Sequence, residues 1–480
     1  MKKILLCLLS LHLITGNLYA RDNTRVSAIS DNKMQWWRDA KLGLFIHWGP
    51  YCLYGGVYNG FQQRRGGAEW IMNRCKIPYR EYRAKASTFN PVNFNAEKIV
   101  CMAKDAGMKY IVFTTKHHDG FAMFKSNASR FNIVDYTPFK RDIVDELAQA
   151  CRKYDMKLGL YYSQTQDWCN PGGLTIRKLM KEGWANPDSL EIDDFTAKHG
   201  GAWDAQQQTR TFNDYFYNIA LPQIKELLSR YRDVAVMWFD TPASISKKQA
   251  DDVMAELSRY PHIIINDRLK RPDVYGDYKT PEGLIPKNKD IEGVDWETCM
   301  NIGSSWGYKS WENQWKSSLQ IIRNLITIAA RGGNYLLNVG PDPLGVIPEE
   351  AQERLRDLGK WMQSNGEAIY GTTRSQLTPA WGECTRKDFP KHTTYYLCVF
   401  QWPKNGILPF ECPHKVKNVS VLTTGKPLKY TIQDGQMRIN IKEITPDSVT
   451  TVIKVELKTK LAPVKLSYNA DKNFKVTDEN

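Results

Sequence analysis

The chain lacks the long apolar runs and the clustered charges that mark membrane and nucleic-acid-binding proteins. No segment reaches the roughly 20 apolar residues that a membrane helix needs, so we expect no membrane span. The net charge is +14, but lysines and arginines are dispersed and no nucleic-acid-binding module is present. We therefore expect no nucleic-acid partner. With 42% hydrophobic and 25% charged residues, the composition is that of a folded globular protein.

Cysteine is also scarce, and its spacing excludes two further classes. The chain of 480 residues has 10 cysteines and no CxxC pair, which argues against a disulfide scaffold and against a zinc ribbon. No HExxH, GxGxxG or P-loop motif is present, which disfavours a zinc protease and a nucleotide-binding enzyme. We expect neither a metal nor a cofactor.

The N-terminus has the pattern of a secretory signal peptide. Lys2 and Lys3 precede a short apolar run, and Ala20 supplies a small residue at a plausible cleavage point. We expect residues 1–20 to be removed and the mature chain to be exported, to the periplasm or outside the cell. At the other end, residues 471–480 are predicted to be a polar tail.

Strand-like and helix-like segments alternate from residue 30 to residue 370. Strands are predicted at 41–47, 110–115, 157–162, 234–240, 263–268, 296–299 and 334–340. Helices are predicted at 95–106, 142–154, 204–231, 247–260, 315–330 and 348–365. This alternation indicates parallel βαβ units, and about seven units favour a (β/α)8-like (TIM) barrel over an open sheet. Short alternating runs between 372 and 470 predict a C-terminal all-β sandwich.

Polar side chains follow the predicted strands at the point where each strand ends. They are His47, His117, His118, Tyr161 or Tyr162, Asp240 and Arg268. The carboxyl ends of barrel strands converge on one mouth, where enzyme active sites lie. His117 and His118 are adjacent, so on a strand their side chains would point to opposite sides. That arrangement argues against a shared metal ion.

The remaining chemistry at such a mouth is that of a carboxylate nucleophile with a carboxylic acid opposite, as in glycoside hydrolysis. Asp240 ends a buried strand and is the candidate nucleophile. Glu69, Glu282 and Glu297 are candidates for the second carboxyl, and their spacing does not choose among them. The 15 tryptophans suit stacking on sugars. The alternatives are a non-catalytic glycan-binding protein on a hydrolase barrel and a retaining glycosidase for another sugar.

Nine short motifs follow one another between residues 34 and 370. They are FIHWG at 45–49, EW at 69–70, KHHDGF at 116–121, GLYYS at 159–163, WFD at 238–240, NDR at 266–268, WETC at 296–299, SWGY at 305–308 and GGNYLLN at 332–338. In this order and combination they resemble the α-L-fucosidases of glycoside hydrolase family 29.

The resemblance implies a metal-free, retaining, exo-acting enzyme that removes terminal α-L-fucose from a fucosylated oligosaccharide or glycoconjugate. Asp240 matches the nucleophile that forms a fucosyl-enzyme. The acid/base position differs among family members: Glu282 is favoured because it shortly follows the Asn-Asp-Arg motif, and Glu297 is the alternative. The positions that match substrate-binding residues are His47, Glu69, Trp70, His117, His118, Tyr161, Trp238 and Arg268.

Overall fold

The computed structural model describes residues 33–63, 67–175, 198–199, 201–242, 245–271, 273–287, 290–291 and 293–464. The predicted signal peptide at 1–20 and the predicted polar tail at 471–480 lie outside these residues. Within the described part of the chain, no helix is long and apolar enough to cross a membrane.

A parallel sheet of seven strands curls into a (β/α)8-like barrel, as predicted. The strand order is β7-β6-β5-β4-β1-β9-β8. A two-stranded hairpin, β2 (Val57–Tyr58) and β3 (Phe61–Gln62), stands apart from it. The barrel strands are β1 (Leu42–Ile46), β4 (Tyr110–Lys116), β5 (Lys157–Ser163), β6 (Val236–Asp240), β7 (Ile264–Ile265), β8 (Glu297–Asn301) and β9 (Asn334–Val339).

A segment that the sequence does not predict as a strand closes the gap between the edge strands β7 and β8. Tyr278 bridges Asn266 after β7, and Glu282 bridges Cys299 in β8, both in parallel orientation. Residues 278–282 thus take the place of an eighth strand. Pro281 and Gly283 obscure this role, because proline and glycine are unfavourable in strand interiors. The strand predicted at 263–268 is correspondingly short.

Alternating side chains separate the barrel interior from the layer of helices around it. Leu42, Leu44 and Ile46 join the large outer core, whereas Phe45 belongs to an inner cluster that fills the barrel. A helix at 33–40 closes the amino-terminal end of the strands. The side-chain amide nitrogen of Asn334, the first residue of β9, donates to the carbonyl of Trp37 in that helix at 2.8 Å.

The outer helices include five of the six that the sequence predicts, together with one at Tyr79–Ala86 that it does not predict. Their bounds are Tyr79–Ala86, Ala96–Asp105, Ile143–Lys153, Leu221–Arg230, Lys247–Leu257, Ser318–Ala330 and Glu349–Asn365, with shorter helices at Ile71–Arg74, Ile133–Tyr136 and Phe212–Tyr215. The continuous helix predicted at 204–231 is wrong. A π-helical turn at Phe216–Ala220 precedes the last part, because Pro222 has no N–H to donate into a regular helix.

Two antiparallel sheets follow the barrel and confirm the predicted β-sandwich. One has the order β10-β11-β12-β17-β14 and the other β13-β16-β15. A separate hydrophobic core that includes Leu397, Phe410 and Val419 lies between them. The strands are β10 (Thr373–Arg374), β11 (Gly382–Asp388), β12 (Thr393–Val399), β13 (Ile407–Glu411), β14 (Val416–Val421), β15 (Tyr430–Gln433), β16 (Gln436–Asn440) and β17 (Thr451–Leu457).

Candidate active site

Asp240 is the last residue of β6 and lies at the barrel mouth with three hydrogen-bond donors on its carboxylate. Arg268 Nη1 donates to Oδ1 at 3.0 Å, and the hydroxyl of Tyr161 donates to Oδ2 at 2.9 Å. The backbone N–H of Thr241 donates to Oδ1 at 2.8 Å. Of the two candidate tyrosines, Tyr161 therefore faces the site, whereas the hydroxyl of Tyr162 bonds to Gln223 outside the barrel. These donors favour the carboxylate form of Asp240.

The turn after Asp240 is a strained one. Thr241 has a φ of 53°, a left-handed conformation that is unfavourable for a β-branched residue. The hydroxyl of Thr165 donates to the carbonyl of Thr241 at 2.8 Å and also contacts its hydroxyl at 2.7 Å. This contact holds the conformation in which the N–H of Thr241 reaches Asp240.

Arg268 connects Asp240 to a second carboxylate. The same Nη1 atom lies 2.8 Å from Oε2 of Glu282, so the two facing carboxylate oxygens are at most about 6 Å apart. That limit is compatible with the roughly 5–5.5 Å of a retaining glycosidase pair. Thr280 fixes the guanidinium from behind, because its hydroxyl and carbonyl accept from Nε at 2.9 Å and from Nη2 at 3.0 Å. The Glu282 side chain is 32% exposed and can be reached from solvent.

His47 follows β1 and presents one ring nitrogen to the mouth. Its Nδ1 lies 2.7 Å from Oδ1 of Asn338, whose amide nitrogen donates to Asn301 and to the carbonyl of Trp306. We therefore assign the proton to Nδ1 of His47, which leaves Nε2 as an acceptor. Burial lowers the pKa of His47 to about 4, so the ring is neutral near pH 7.

His117 and His118 face the same site, and the expectation that they point apart is wrong. Their ring centroids are 4.0 Å apart; His117 packs on Tyr161, and Nε2 of His118 lies 3.7 Å from Oδ2 of Asp240. Both residues follow the end of β4, and its pairing with β5 shifts register near Lys116. Strand alternation therefore no longer applies to them. Burial lowers the pKa of His117 well below its usual value, and Nδ1 of that ring has no hydrogen-bond partner among the described residues.

Glu69 and Trp70 complete one wall of the mouth. Oε2 of Glu69 accepts from the N–H of Gly307 at 2.8 Å, while Oε1 is buried without a hydrogen-bond partner in the described residues. Burial raises the pKa of Glu69 to about 7. Trp70 is half-buried and packs against His118, with ring centroids 5.0 Å apart. The unpaired oxygen and the half-exposed indole are groups that a bound polar molecule with an apolar face would contact.

Glu297, the alternative acid, does not lie with these groups. It is the first residue of β8, paired with Asn334 at the start of β9, and it is 1% exposed. Its carboxylate oxygens accept from the hydroxyl of Tyr110 at 2.5 Å and from the indole N–H of Trp238 at 3.0 Å. The structure therefore brings Glu282 to Asp240 and places Glu297 deeper in the barrel, beneath Trp238.

The sequence did not single out Trp306 as a site residue, although it occurs in one of the nine motifs. The Trp306 ring is half-buried and lies 5.0 Å from that of His47 and 6.1 Å from that of Phe45. The neighbouring GSSWG run has the GxSxG spacing of a serine hydrolase, but Oγ of Ser305 accepts from the N–H of Ala68 at 2.7 Å. Among the described residues, no group of three His, Cys, Asp or Glu side chains is arranged to hold a metal ion.

Comparison with known proteins shows which family the chain belongs to. The family model described as α-L-fucosidase matches residues 16–367. The chain belongs to the α-L-fucosidase family. The plasma α-L-fucosidase of Rattus norvegicus is 30% identical over 427 residues, which cover 82% of this chain and 84% of that protein. The tissue α-L-fucosidase of Homo sapiens is 27% identical and covers 86% of each chain.

Solved structures of α-L-fucosidases share the fold. The enzyme of Vibrio sp. strain EJY3 is 30% identical with a TM-score of 0.79, covering 90% of this chain and 74% of that one. A family 29 fucosidase of Bacteroides thetaiotaomicron is 28% identical with a TM-score of 0.76, covering 88% and 95%. That structure is a covalent intermediate trapped with 2-fluoro-fucosyl fluoride in a glutamate-to-glutamine variant.

Proposed function

We propose that this protein is an exported, retaining, exo-acting α-L-fucosidase that hydrolyses terminal α-L-fucose from fucosylated glycans. The observation that carries the mechanism is one arginine nitrogen, Nη1 of Arg268, in contact with both Asp240 and Glu282. Two carboxylates at this spacing can act on opposite sides of one sugar carbon. The trapped covalent intermediate of the related fucosidase supports the retaining course.

In the first step Asp240 is the nucleophile and Glu282 the acid. A carboxylate oxygen of Asp240 forms a bond to the anomeric carbon as the bond from that carbon to the leaving oxygen breaks. Glu282 donates its proton to that leaving oxygen. The donors from Tyr161, Arg268 and Thr241 fix the orientation of Asp240 before attack.

In the second step Glu282 acts as a base instead of an acid. The deprotonated Glu282 removes a proton from water, whose oxygen bonds to the anomeric carbon as Asp240 leaves. Because the Glu282 side chain is partly exposed, water and the departing glycan can reach it from solvent. Two inversions at one carbon give net retention of configuration.

The rest of the mouth supports recognition of a single terminal deoxy-sugar. Oε1 of Glu69, Nδ1 of His117 and Nε2 of His47 are available to sugar hydroxyls. The rings of Trp70 and Trp306 offer apolar surface for a sugar face and a methyl group. All the donors and acceptors are buried at the base of the mouth, which fits binding of a chain end and therefore exo-action.

Export rests on the secretory pattern of residues 1–20 and on the plasma enzymes among the relatives. We expect the mature protein from the native host to begin near Arg21 in the extracytoplasmic fraction. Intact-mass measurement of the secreted protein tests this. A full-length protein recovered only from the cytoplasm would contradict export without affecting the proposed activity.

The decisive test of activity is a rescue experiment on Glu282→Ala with Glu297→Ala as the matched variant. Each enzyme is given an activated aryl α-L-fucoside, with and without azide. We expect Glu282→Ala alone to be accelerated by azide and to release α-fucosyl azide, because azide needs no base to attack the fucosyl-enzyme and inverts its configuration a second time. Rescue of Glu297→Ala alone would transfer the acid/base role to that residue.

The nucleophile and the sugar are tested separately. We expect 2-fluoro-fucosyl fluoride to label the wild type at Asp240, as seen by peptide mass spectrometry, and Asp240→Ala to be inactive but folded. Hydrolysis of aryl α-L-fucosides is compared with that of aryl galactosides. Cleavage of galactosides alone would indicate a glycosidase for another sugar, and cleavage of neither would favour a glycan-binding protein.

A further inference from the structure

The buried carboxylate of Glu297 lies one layer of side chains below Asp240. Trp238 and Asp240 are two residues apart on β6, so their side chains point to the same side, about 7 Å apart along the strand. Glu297 lies at the amino-terminal end of β8 and accepts a hydrogen bond from Trp238, which is farther from the barrel mouth than Asp240. Glu297 therefore cannot contact a sugar bound against Asp240 while the Trp238 ring lies between them.

Hydrogen-bond donors, rather than cations, surround Glu297. The Tyr110 hydroxyl and the Trp238 indole N–H each satisfy one carboxylate oxygen. The indole of Trp37 and the hydroxyl of Tyr278 face the same carboxyl without forming hydrogen bonds of normal geometry. An indole has a single N–H, so the bond to Glu297 fixes the rotation of the Trp238 ring. Burying a carboxyl group in this way costs stability rather than contributing to it.

The fixed ring of Trp238 supports the two side chains that hold the nucleophile. The guanidinium carbon of Arg268 lies 4.9 Å from its centroid, and the ring of Tyr161 stacks on it at 5.5 Å with an interplanar angle of 21°. Arg268 and Tyr161 bond to the two different oxygens of Asp240. A rotation of the indole would displace both donors together.

We propose that Glu297 is a positioning residue: its carboxylate holds the indole of Trp238, which holds Arg268 and Tyr161 against Asp240. The proposal rests on the proposed function, in which Asp240 is the nucleophile. It gives Glu297 a role in the reaction without contact with substrate, and it explains the presence of a buried acid beside the apolar and aromatic cluster of the barrel interior.

The experiment is a double-mutant cycle on Glu297→Met and Trp238→Phe, with Tyr110→Phe as the matched control. Methionine keeps much of the side-chain volume and has no oxygen to accept from the indole N–H. Tyr110→Phe also removes one hydrogen bond from Glu297, but leaves the bond to Trp238 in place. Activity is measured on aryl α-L-fucosides whose leaving phenols differ in acidity, with and without azide. Circular dichroism and thermal unfolding show whether each variant is folded.

We expect Glu297→Met to lower kcat by about 10- to 100-fold, since small displacements of a reacting group have effects of this size. The factor should be the same for every leaving group, with KM little changed and no acceleration by azide. In the Trp238→Phe background the same substitution should lower kcat by less than about threefold, because the bond it breaks is already absent. Tyr110→Phe should lower the unfolding temperature and leave kcat near that of the wild type.

Two results would overturn the proposal. An equal loss from Glu297→Met in both backgrounds would show that Glu297 does not act through Trp238. Azide acceleration on activated leaving groups, with a loss of kcat that grows as the leaving group becomes poorer, would show that Glu297 is the acid/base. If Glu297→Met does not fold, the other variants decide: Trp238→Phe must lower kcat and Tyr110→Phe must not. A wild type inactive on all fucosides would instead refute the proposed function.

Discussion

Replacing Arg268 with methionine tests the electrostatic basis of the site. Arg268 is 3% exposed, and its Nη1 is the cation that contacts both Asp240 and Glu282. Methionine keeps much of the side-chain volume and removes the charge. The two carboxylates, with facing oxygens at most about 6 Å apart, then repel each other without a cation between them.

The size of the effect follows from the ion pair that is lost. Nη1 of Arg268 lies 3.0 Å from Oδ1 of Asp240. Two unit charges about 4 Å apart at an effective dielectric constant of about 20 interact by about 4 kcal/mol, which corresponds to roughly three pH units for one proton. Without the guanidinium the charged form of Asp240 loses this attraction, so Asp240 becomes a carboxylate only at higher pH. We expect the acid limb of kcat/KM in Arg268→Met to move to higher pH by about that amount.

The assay is the pH profile of kcat/KM for an activated aryl α-L-fucoside, for which departure of the phenol needs little acid assistance. Arg271→Met is the matched control, because Arg271 lies in the same segment but pairs with Asp267 at 2.9 Å rather than with Asp240. Its profile should coincide with that of the wild type. A uniform loss of activity in Arg268→Met, with the acid limb unmoved, would refute the electrostatic reasoning and leave Arg268 a role in binding alone.

Three further predictions concern groups behind the mouth. Asn338→Leu should lower kcat/KM at least tenfold in steady-state kinetics, because His47 loses the acceptor that fixes its ring; unchanged kinetics would contradict this. Burial raises the pKa of Asp119 to about 7, so the stability that its protonated form contributes is lost as pH rises through 7. Between pH 5 and pH 8, the free energy of unfolding measured in urea should fall by about 3 kcal/mol more for the wild type than for Asp119→Asn. Equal decreases in the two proteins would be contrary evidence. Lys116→Met should lower the free energy of unfolding by about 3–5 kcal/mol, because it leaves the fully buried Asp167 without the cation 2.9 Å away; a loss below 1 kcal/mol would argue against this.

The sequence by itself determined the barrel and most of the residues at its mouth. A strand as apolar as β6 has to be buried on both of its faces. A series of such strands separated by helical segments therefore predicts a parallel sheet with helices around it. The polar residues that end these runs then lie at one edge of the sheet because all the strands run in the same direction. Asp240 and His47 were identified on that ground alone, whereas it left the choice between Tyr161 and Tyr162 open.

Only the tertiary structure shows which of Glu282 and Glu297 lies beside Asp240. Glu282 lies in a short, irregular segment and Glu297 in a short strand, and local pattern carries no information on which end of the barrel a side chain reaches. Glu282 pairs with Cys299 of β8, which lies two residues beyond Glu297 toward the carboxyl end of that strand. This pairing joins residues from different segments of the chain. The orientation of His117 and His118 was likewise decided by a register shift at the end of β4. Such features depend on contacts between distant parts of the chain, and periodicity within one segment does not encode them.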